Sequence, residues 1–277
     1  GWLAVGLVLL SVPGLWTIQL GQMGLWVGAL LFAVFLSLRS GHLFRAGLLL
    51  GLLAFKPTYA VGIGIWWLIR AKRYGAAIAG AAVSATACVA TGFAIPGAWS
   101  DYLGLVDDSG QGMFESTVTS GFSILEMLLL IFPESSLAVV MWVVATVVLL
   151  VAFWLVLRNL EFRLEAAFAL AVVVGLLIAP RLGWYDWVLL VVPGVLVWQG
   201  YPRLHSQTVV AGAWLFLGAA LSWMPFWREP LRISASIQFA PLLLLGVSWW
   251  WCRQAMQLAA DDSAPALTVA PLSEPIS

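Results

Sequence analysis

The sequence predicts an all-α, polytopic transmembrane helical bundle, and three observations carry that prediction. Of the 277 residues, 62% are hydrophobic and only 9% are charged, against roughly half apolar and a quarter charged in soluble domains. The mean hydropathy is +1.00. Apolar runs recur along nearly the whole chain, each near the roughly 20 residues that an α-helix needs to cross about 30 Å of hydrocarbon. A soluble globule is therefore excluded, and we expect about 8–10 membrane helices.

The positions of the charges are more informative than their sum. Thirteen basic and thirteen acidic residues give a formal net charge of +0, so the total predicts neither a nucleic-acid partner nor an acidic binding surface. Cytoplasmic connections carry an excess of Lys and Arg. The connection from Arg39 to Arg45 holds two arginines. It is therefore assigned to the cytoplasm, which places Gly21 and Gln22 at the external face.

The first elements follow from the apolar runs. The run from Gly1 to Val12 is too short to span a membrane and ends at Pro13 and Gly14, which indicates the last part of a helix. The chain starts inside this run without a methionine. We therefore interpret it as the carboxyl-terminal part of a longer protein. Met23 to Leu38 is the next span.

The segment from Ala46 to Ile69 is long enough for one span, but Lys56 and Pro57 interrupt it and a basic cluster, Arg70 to Arg73, closes it. One continuous helix would hold a lysine near mid-membrane, at a cost of roughly 2.5–3.5 kcal/mol. Two short antiparallel helices meeting at Lys56 and Pro57 would keep both arginine-rich connections in the cytoplasm. We favour this hairpin because proline suits the first turn of a helix and disfavours helical angles in the residue before it.

The next helix, Tyr74 to Ile95, is rich in Gly and Ala, a composition that lets membrane helices approach closely. We expect it to be buried in the bundle. The loop from Pro96 to Ser136 carries no Lys or Arg and is therefore external. Within it, Phe122 to Phe132 is predicted to form an interfacial helix. The loop holds Asp101, Asp107, Asp108, Glu115 and Glu134, and Asp107, Asp108 and Glu115 are interpreted as solvated charges.

The remaining spans alternate across the membrane, with basic connections on the cytoplasmic side. Most tryptophans near span ends, among them Trp66, Trp67, Trp187 and Trp249, are assigned to the membrane interface. Residues 1–253 are one integral membrane domain, and the proline-containing polar tail 254–277 is predicted to be disordered and cytoplasmic. The predicted spans are Leu137–Leu157, Ala166–Ala179, Trp187–Trp198, Val209–Met224 and Ile233–Trp251.

No metal centre is predicted. Cys88 and Cys252 lie inside apolar runs, where cysteine acts as a small hydrophobic residue. His42 and His205 lie in short polar connections close to arginine, and a histidine metal site would have no further ligands there. We expect solvated loop histidines and no cofactor.

Four residues map near the external surface on this topology: Gln22, Lys56, Arg181 and Asp186. Charges close to the membrane level are costly and therefore indicate function. Lys56 and Arg181 are suited to clamp a phosphate, Arg in bidentate fashion and Lys as a point charge. The structural alternatives are that Asp186 pairs with Arg181, that Lys56 reaches lipid headgroups, and that Gln22 caps a helix.

The chain resembles glycosyltransferase family 87, the bacterial polyprenyl-phosphate-mannose-dependent α-mannosyltransferases of the superfamily C membrane fold. The likeness covers roughly residues 15 to 200 and rests on the order and spacing of three blocks. The blocks are Gly21-Gln22; Arg45 to Gly47, Gly51 to Ala54 and Lys56-Pro57 with the cluster Arg70 to Arg73; and Ala179-Pro180 followed by Asp186 to Leu190 and Pro193.

The resemblance implies a helical bundle with an external cavity in the bacterial plasma membrane. It also implies inverting transfer of a hexose, expected to be mannose, from a polyprenyl-phosphate donor to a glycolipid or glycan acceptor. Lys56, Arg181 and Gln22 would then bind substrate. Cations near the donor phosphate would stabilise the charge that develops on the leaving group, and a carboxylate would deprotonate the acceptor hydroxyl.

The chain departs from the family pattern in two places. Superfamily C enzymes carry the catalytic aspartate in the first external loop, and no such loop precedes Gly1, so the base is expected upstream. Where some relatives have paired histidines before a late helix, this chain has Tyr185 and Asp186. Asp186 is then a candidate catalytic or acceptor-orienting residue, or a counter-charge for Arg181.

Two other classes stay open. A transporter or flippase of lipid-linked sugars would also place cations at one side of a bundle, although such proteins usually show repeats and broken helices. A noncatalytic membrane assembly subunit would fit a chain without a complete acid and base pair. An acidic residue in a first external loop upstream would favour the enzyme.

Overall fold

The computed structural model describes residues 23–97, 99–100, 123–132, 135–159, 163–180, 182, 184–201 and scattered positions between 203 and 254. Every regular element among these residues is a helix, and no strand occurs in them. The predicted all-α class is therefore confirmed. Gln22, Arg181 and the predicted tail after Gln254 lie outside the described residues, and so do the loop residues Asp101, Asp107, Asp108, Glu115 and Glu134.

Eight α-helices and two 3-10 helices form the described part of the bundle. Each α-helix lies close to a predicted apolar run. The α-helices are α1 Gly24–Arg39, α2 Leu43–Gly51, α3 Thr58–Ile69, α4 Ala71–Ala94, α5 Ile124–Ile131, α6 Ser135–Asn159, α7 Leu164–Ile178 and α8 Val191–Gly200, and the 3-10 helices are Leu52–Phe55 and Trp184–Leu190.

The predicted break at Lys56 and Pro57 is confirmed. Helix α2 tightens into the 3-10 helix Leu52–Phe55, and Lys56 then leaves helical geometry with φ −136° and ψ 68°. Pro57 is the N-cap of α3. The cause is local, since the proline ring clashes with the helical conformation of the preceding residue and its missing N–H costs nothing at a helix start.

Glycines show that the chain doubles back at this break. A Cβ on Gly47 would meet the backbone of Ala77, and a Cβ on Gly51 would meet the carbonyl oxygen of Ala81. The contact moves toward the C-terminal end of α4 as it moves toward the C-terminal end of α2, so the two helices are parallel. Helix α3, between them in sequence, returns in the opposite direction. The cluster Arg70 to Arg73 therefore lies at the same end of the bundle as the start of α2.

Helix α7 is the central helix of the described bundle. Its buried residues run without a gap from Ala166 to Ile178. Gly62 of α3 lies against the carbonyl oxygen of Ala171, and Gly175 lies near the carbonyl oxygen of Thr58, so α3 and α7 are antiparallel. The end of α7 is therefore beside Lys56. We call this end the site end and the end holding Arg39, Arg45 and Arg70 to Arg73 the basic end.

The expected burial of the small-residue helix is wrong. Helix α4 buries only one face, formed by Tyr74, Ala77, Gly80 and Ser84. Its opposite face is exposed, including Phe93. The small residues allow close approach to α2, and among the described residues the helices packed on α4, α2 and part of α3, cover this one face only.

Two helical segments among the described residues are long and apolar enough to cross a membrane, namely Ala71–Ala94 and Ser136–Arg158. The shorter apolar helices among the described residues are 10–17 residues long. The predicted spans Val209–Met224 and Ile233–Trp251 lie mostly outside the described residues, so the predicted total of 8–10 stays a prediction.

Three of the tryptophans predicted at span ends are enclosed by protein. Trp66, Trp67 and Trp187 are buried in the bundle. The rings of Trp66 and Trp67 pack on Tyr74, with centroids 5.0 and 6.2 Å away. Their burial follows from the short length of α3, whose last turn is enclosed by α4 and α7, whereas Trp249 is exposed as expected.

Candidate functional site

Lys56 and Asp186 meet at the site end of the bundle. Nζ of Lys56 lies 3.4 Å from Oδ1 of Asp186. Lys56 sits at the break between α2 and α3, and Asp186 sits in the 3-10 helix Trp184–Leu190. Neither residue lies in a regular α-helix, and the two are separated by 130 residues of sequence.

Tyr59 is the third member of this cluster. Its phenolic oxygen lies 3.5 Å from Nζ of Lys56, and its ring centroid lies 5.3 Å from the same atom. The residue is one turn along from Lys56, so its side chain returns to the break. The ammonium is therefore held between a carboxylate and the electron-rich face of a phenol.

The two charges differ in their access to the surroundings. The side chain of Asp186 is 3% exposed, whereas that of Lys56 is 31% exposed. The carboxylate is thus held within the protein, and part of the lysine side chain can be reached from outside. A partly exposed cation with a buried counter-charge is suited to meet an anionic group of a ligand without moving far.

A capping box fixes the turn that leads from α7 to Asp186. The backbone N–H of Glu126 donates to the Ser123 hydroxyl at 3.1 Å, and the backbone N–H of Ser123 donates to the Glu126 carboxylate at 2.9 Å. The same Ser123 hydroxyl donates to the carbonyl oxygen of Pro180 at 2.8 Å. The short helix α5 is therefore hydrogen-bonded to the turn that follows α7.

The 3-10 helix that carries Asp186 is itself anchored by packing. Leu189 is fully buried, and its Cδ2 lies 3.7 Å from the position that a Cβ on Gly28 of α1 would occupy. Val188 and Val192 are buried beside it. Asp186 is consequently placed by two attachments, one to α5 through Pro180 and one to α1 through Leu189.

Of the four residues predicted for the site, the structure brings Lys56 and Asp186 together. Gln22 and Arg181 lie outside the described residues, and so does the predicted pairing of Asp186 with Arg181. The sequence reasoning missed Tyr59, Ser123 and Glu126. Two signals were available: the three-residue spacing from Lys56 to Tyr59 and the pattern Ser-x-x-Glu, which is typical of a capping box.

In the described part of the chain, no group of three or more His, Cys, Asp or Glu side chains is close enough to hold a metal ion. Among the described residues, the polar groups of the site include one ammonium, one carboxylate and one phenol. The ammonium is suited to an anionic ligand.

The fold and site define the protein as a helical membrane protein with a paired charge at one end of its bundle. The model of glycosyltransferase family 87 matches residues 1–180, which is more than half of the 277 residues. The chain therefore belongs to glycosyltransferase family 87, and it is a membrane glycosyltransferase. The family implies a lipid-linked sugar donor and an acceptor. A search of curated proteins and a search of solved structures each find no match.

Proposed function

We propose that the protein transfers a hexose, mannose, from a polyprenyl-phosphate-linked donor to a glycolipid or glycan acceptor at the external face of a bacterial plasma membrane. The observation that carries the proposal is the Lys56–Asp186 pair, in which a partly exposed ammonium rests on a buried carboxylate. Membership of the family supports the reaction class, and the predicted positive-inside topology supports the external location of the pair.

The proposed role of Lys56 is to bind the donor phosphate. During transfer, the acceptor hydroxyl gives its proton to a general base as its oxygen forms a bond to the anomeric carbon, and the bond from that carbon to the phosphate oxygen breaks. The electron pair leaves with the polyprenyl phosphate, whose negative charge increases. The ammonium of Lys56 stabilises that charge more strongly in the transition state than in the bound donor, which accelerates the reaction.

The proposed role of Asp186 is to position Lys56. A general base must come within hydrogen-bonding reach of the acceptor hydroxyl, and the side chain of Asp186 is 3% exposed and already 3.4 Å from the ammonium. Asp186 and Tyr59 together hold Nζ of Lys56 at a fixed place before the donor arrives. Such preorganisation reduces the reorganisation needed during the reaction.

The test is sugar transfer from radiolabelled polyprenyl-phosphate-mannose in membranes that contain the full-length protein. Lys56→Ala should lower the transfer rate by about 100-fold or more. Lys56→Arg should retain part of the rate because it keeps the charge. The matched control is Arg45→Ala, which removes an exposed cation at the basic end. Normal transfer by Lys56→Ala at normal expression would refute the proposal.

The proposed sidedness has its own test. Cysteines introduced at Ser40 and at Asp107 should be labelled by a membrane-impermeant maleimide from the cytoplasmic and the external side, respectively. The prediction follows from the arginines that flank Ser40 and the absence of Lys and Arg from the loop around Asp107. Labelling of Ser40→Cys from outside would contradict the external location of the site.

Transport of a lipid-linked sugar is the second candidate function. The observation that favours it is the helix break at Lys56 and Pro57, because broken helices are typical of transporter binding sites. Proteoliposomes loaded with donor and no acceptor distinguish the two functions. A transporter moves intact donor between leaflets, whereas the proposed enzyme leaves its distribution unchanged and releases polyprenyl phosphate only when acceptor is added.

A further inference from the structure

A cavity lies at the basic end of the bundle, away from Lys56 and Asp186. Its volume is about 580 Å³. Helices α3, α4, α6 and α7 all contribute residues to its wall, and it extends over the junction between α3 and α4. No described residue of this cavity takes part in the site at the other end. We propose that it binds the phosphate headgroup of an anionic phospholipid, with the start of the acyl chains against its apolar wall.

The charge of the cavity supports this assignment. Arg70, Lys72 and Arg73 line it, and no acidic side chain lines it among the residues that the structure describes. The Arg70 guanidinium donates to the carbonyl oxygen of Leu157 at 2.9 Å, which fixes its position against the end of α6. Lys72 and Arg73 are exposed and can turn toward an incoming phosphate. Arg and Lys are the residues that bind phosphate most readily in proteins.

The apolar part of the wall favours a lipid over a free anion. Leu68 and Ile69 from α3 and Leu157 and Leu164 from α6 and α7 line the same cavity as the cations. A site for inorganic phosphate would be costly to build from such residues, because they give no hydrogen bonds to a small anion. A phospholipid offers both a phosphate and an apolar stem, and basic pockets between membrane helices bind anionic headgroups.

The experiment measures lipid bound to the full-length protein by native mass spectrometry, with dioleoyl-phosphatidylglycerol titrated into detergent micelles. The double variant Lys72→Gln with Arg73→Gln should weaken binding about tenfold or more. The matched control is Arg39→Gln with Arg45→Gln, which removes two exposed charges from the same end outside the cavity and should weaken binding no more than about threefold. Equal losses in the two double variants would overturn the proposal.

A second variant tests the cavity without changing charge. Ala71 is exposed and lines the cavity, so Ala71→Trp should obstruct it and lower lipid binding while the three cations stay in place. Unchanged binding in Ala71→Trp would refute the site. This variant also decides the matter if the charge variant fails to elute as a folded protein.

The last arm separates a lipid from a free phosphate. Dioleoyl-phosphatidylcholine and inorganic phosphate are added as competitors to protein loaded with phosphatidylglycerol. The proposal expects neither to displace it at equal concentration. Displacement by inorganic phosphate would overturn the lipid assignment and leave a simple anion site, and displacement by phosphatidylcholine would show that the anionic headgroup is not recognised. The measurement does not depend on sugar transfer, so it stands apart from the proposed function.

Discussion

The two ends of the bundle differ in the number of their cations and in how those cations are paired. The basic end carries eight described cations: Arg39, Arg45, Arg70, Lys72, Arg73, Arg158, Arg163 and Arg203. At the site end, Lys56 is the one Lys or Arg among the residues that the structure places there. It is paired with a carboxylate that is 3% exposed.

The difference has a physical cause. Cations near an anionic membrane surface act together and at a distance, each contributing about 1 kcal/mol. A cation that must meet one group of a substrate has to be held at one place, which requires a counter-charge and neighbours. Lys56 has both, in Asp186 and Tyr59. The pairing, more than the charge itself, distinguishes the candidate site from the basic end.

A double-mutant cycle provides the strongest test of that distinction. If Asp186 acts through Lys56, then Asp186→Asn alone should lower kcat about tenfold, and the double variant Lys56→Ala with Asp186→Asn should be no slower than Lys56→Ala. The measurement is kcat and KM for the labelled donor in membranes. If the decrease in kcat of the double variant equals the product of the two single decreases, Asp186 contributes chemistry of its own, as a base or an acceptor ligand.

Glycines at the contact between α3 and α7 offer the next test. A Cβ on Gly62 would collide with the carbonyl oxygen of Ala171, whereas a Cβ on Gly64 of the same helix meets nothing within 4 Å. Gly62→Ala should therefore destabilise the protein by about 1–3 kcal/mol. Gly64→Ala should be neutral or stabilising by up to about 1 kcal/mol.

The comparison of these two glycines is read from thermal unfolding in detergent, with sugar transfer measured in parallel. Because Gly62 lies between the break at Lys56 and the basic end, a shift in α3 should also move Lys56 relative to Asp186. Gly62→Ala is thus expected to lose both stability and transfer, and Gly64→Ala neither. Equal melting temperatures for the two variants would contradict the close approach of α3 and α7.

The sequence was sufficient to predict what local chemistry determines. The break at Lys56 and Pro57 follows from the proline ring, and the ends of α1, α6 and α7 follow from the apolar runs and their flanking charges. The all-α class and the family resemblance were also predictable from composition and from the spacing of short blocks. None of these features needs a contact between residues far apart in the chain.

The partner of Lys56 was not predictable in the same way. Asp186 is 130 residues away, and the sequence offered Arg181 as its nearest opposite charge. What joins the pair is the antiparallel packing of α3 on α7 at Gly62 and Gly175, and no pattern in one sequence shows which glycines face each other. The burial of α4 was wrong for the same reason, because composition does not give the number of neighbours.

The smallest effect is expected for Ser123, which is hydrogen-bonded to the turn between α7 and Asp186. Ser123 caps α5 and also donates to the carbonyl oxygen of Pro180, so Ser123→Ala removes a helix cap and a bond to the turn before Asp186. Loss of such a cap costs about 1 kcal/mol. We expect a melting-temperature decrease of a few degrees and a two- to fivefold loss of transfer, about 0.4–1 kcal/mol, expressed in kcat rather than KM.

The split between kcat and KM decides whether Ser123 acts on the position of Asp186 or only on stability. A matched control is Ser100→Ala, which removes a hydroxyl that donates to the carbonyl oxygen of Gly97 at 2.8 Å in an exposed turn. If both serine variants lower the melting temperature and the transfer rate equally, the bond from Ser123 to Pro180 has no particular connection with the site. If Ser123→Ala lowers kcat but Ser123→Thr and Ser100→Ala do not, a hydroxyl at position 123 is needed to hold the turn that carries the Asp186 carboxylate.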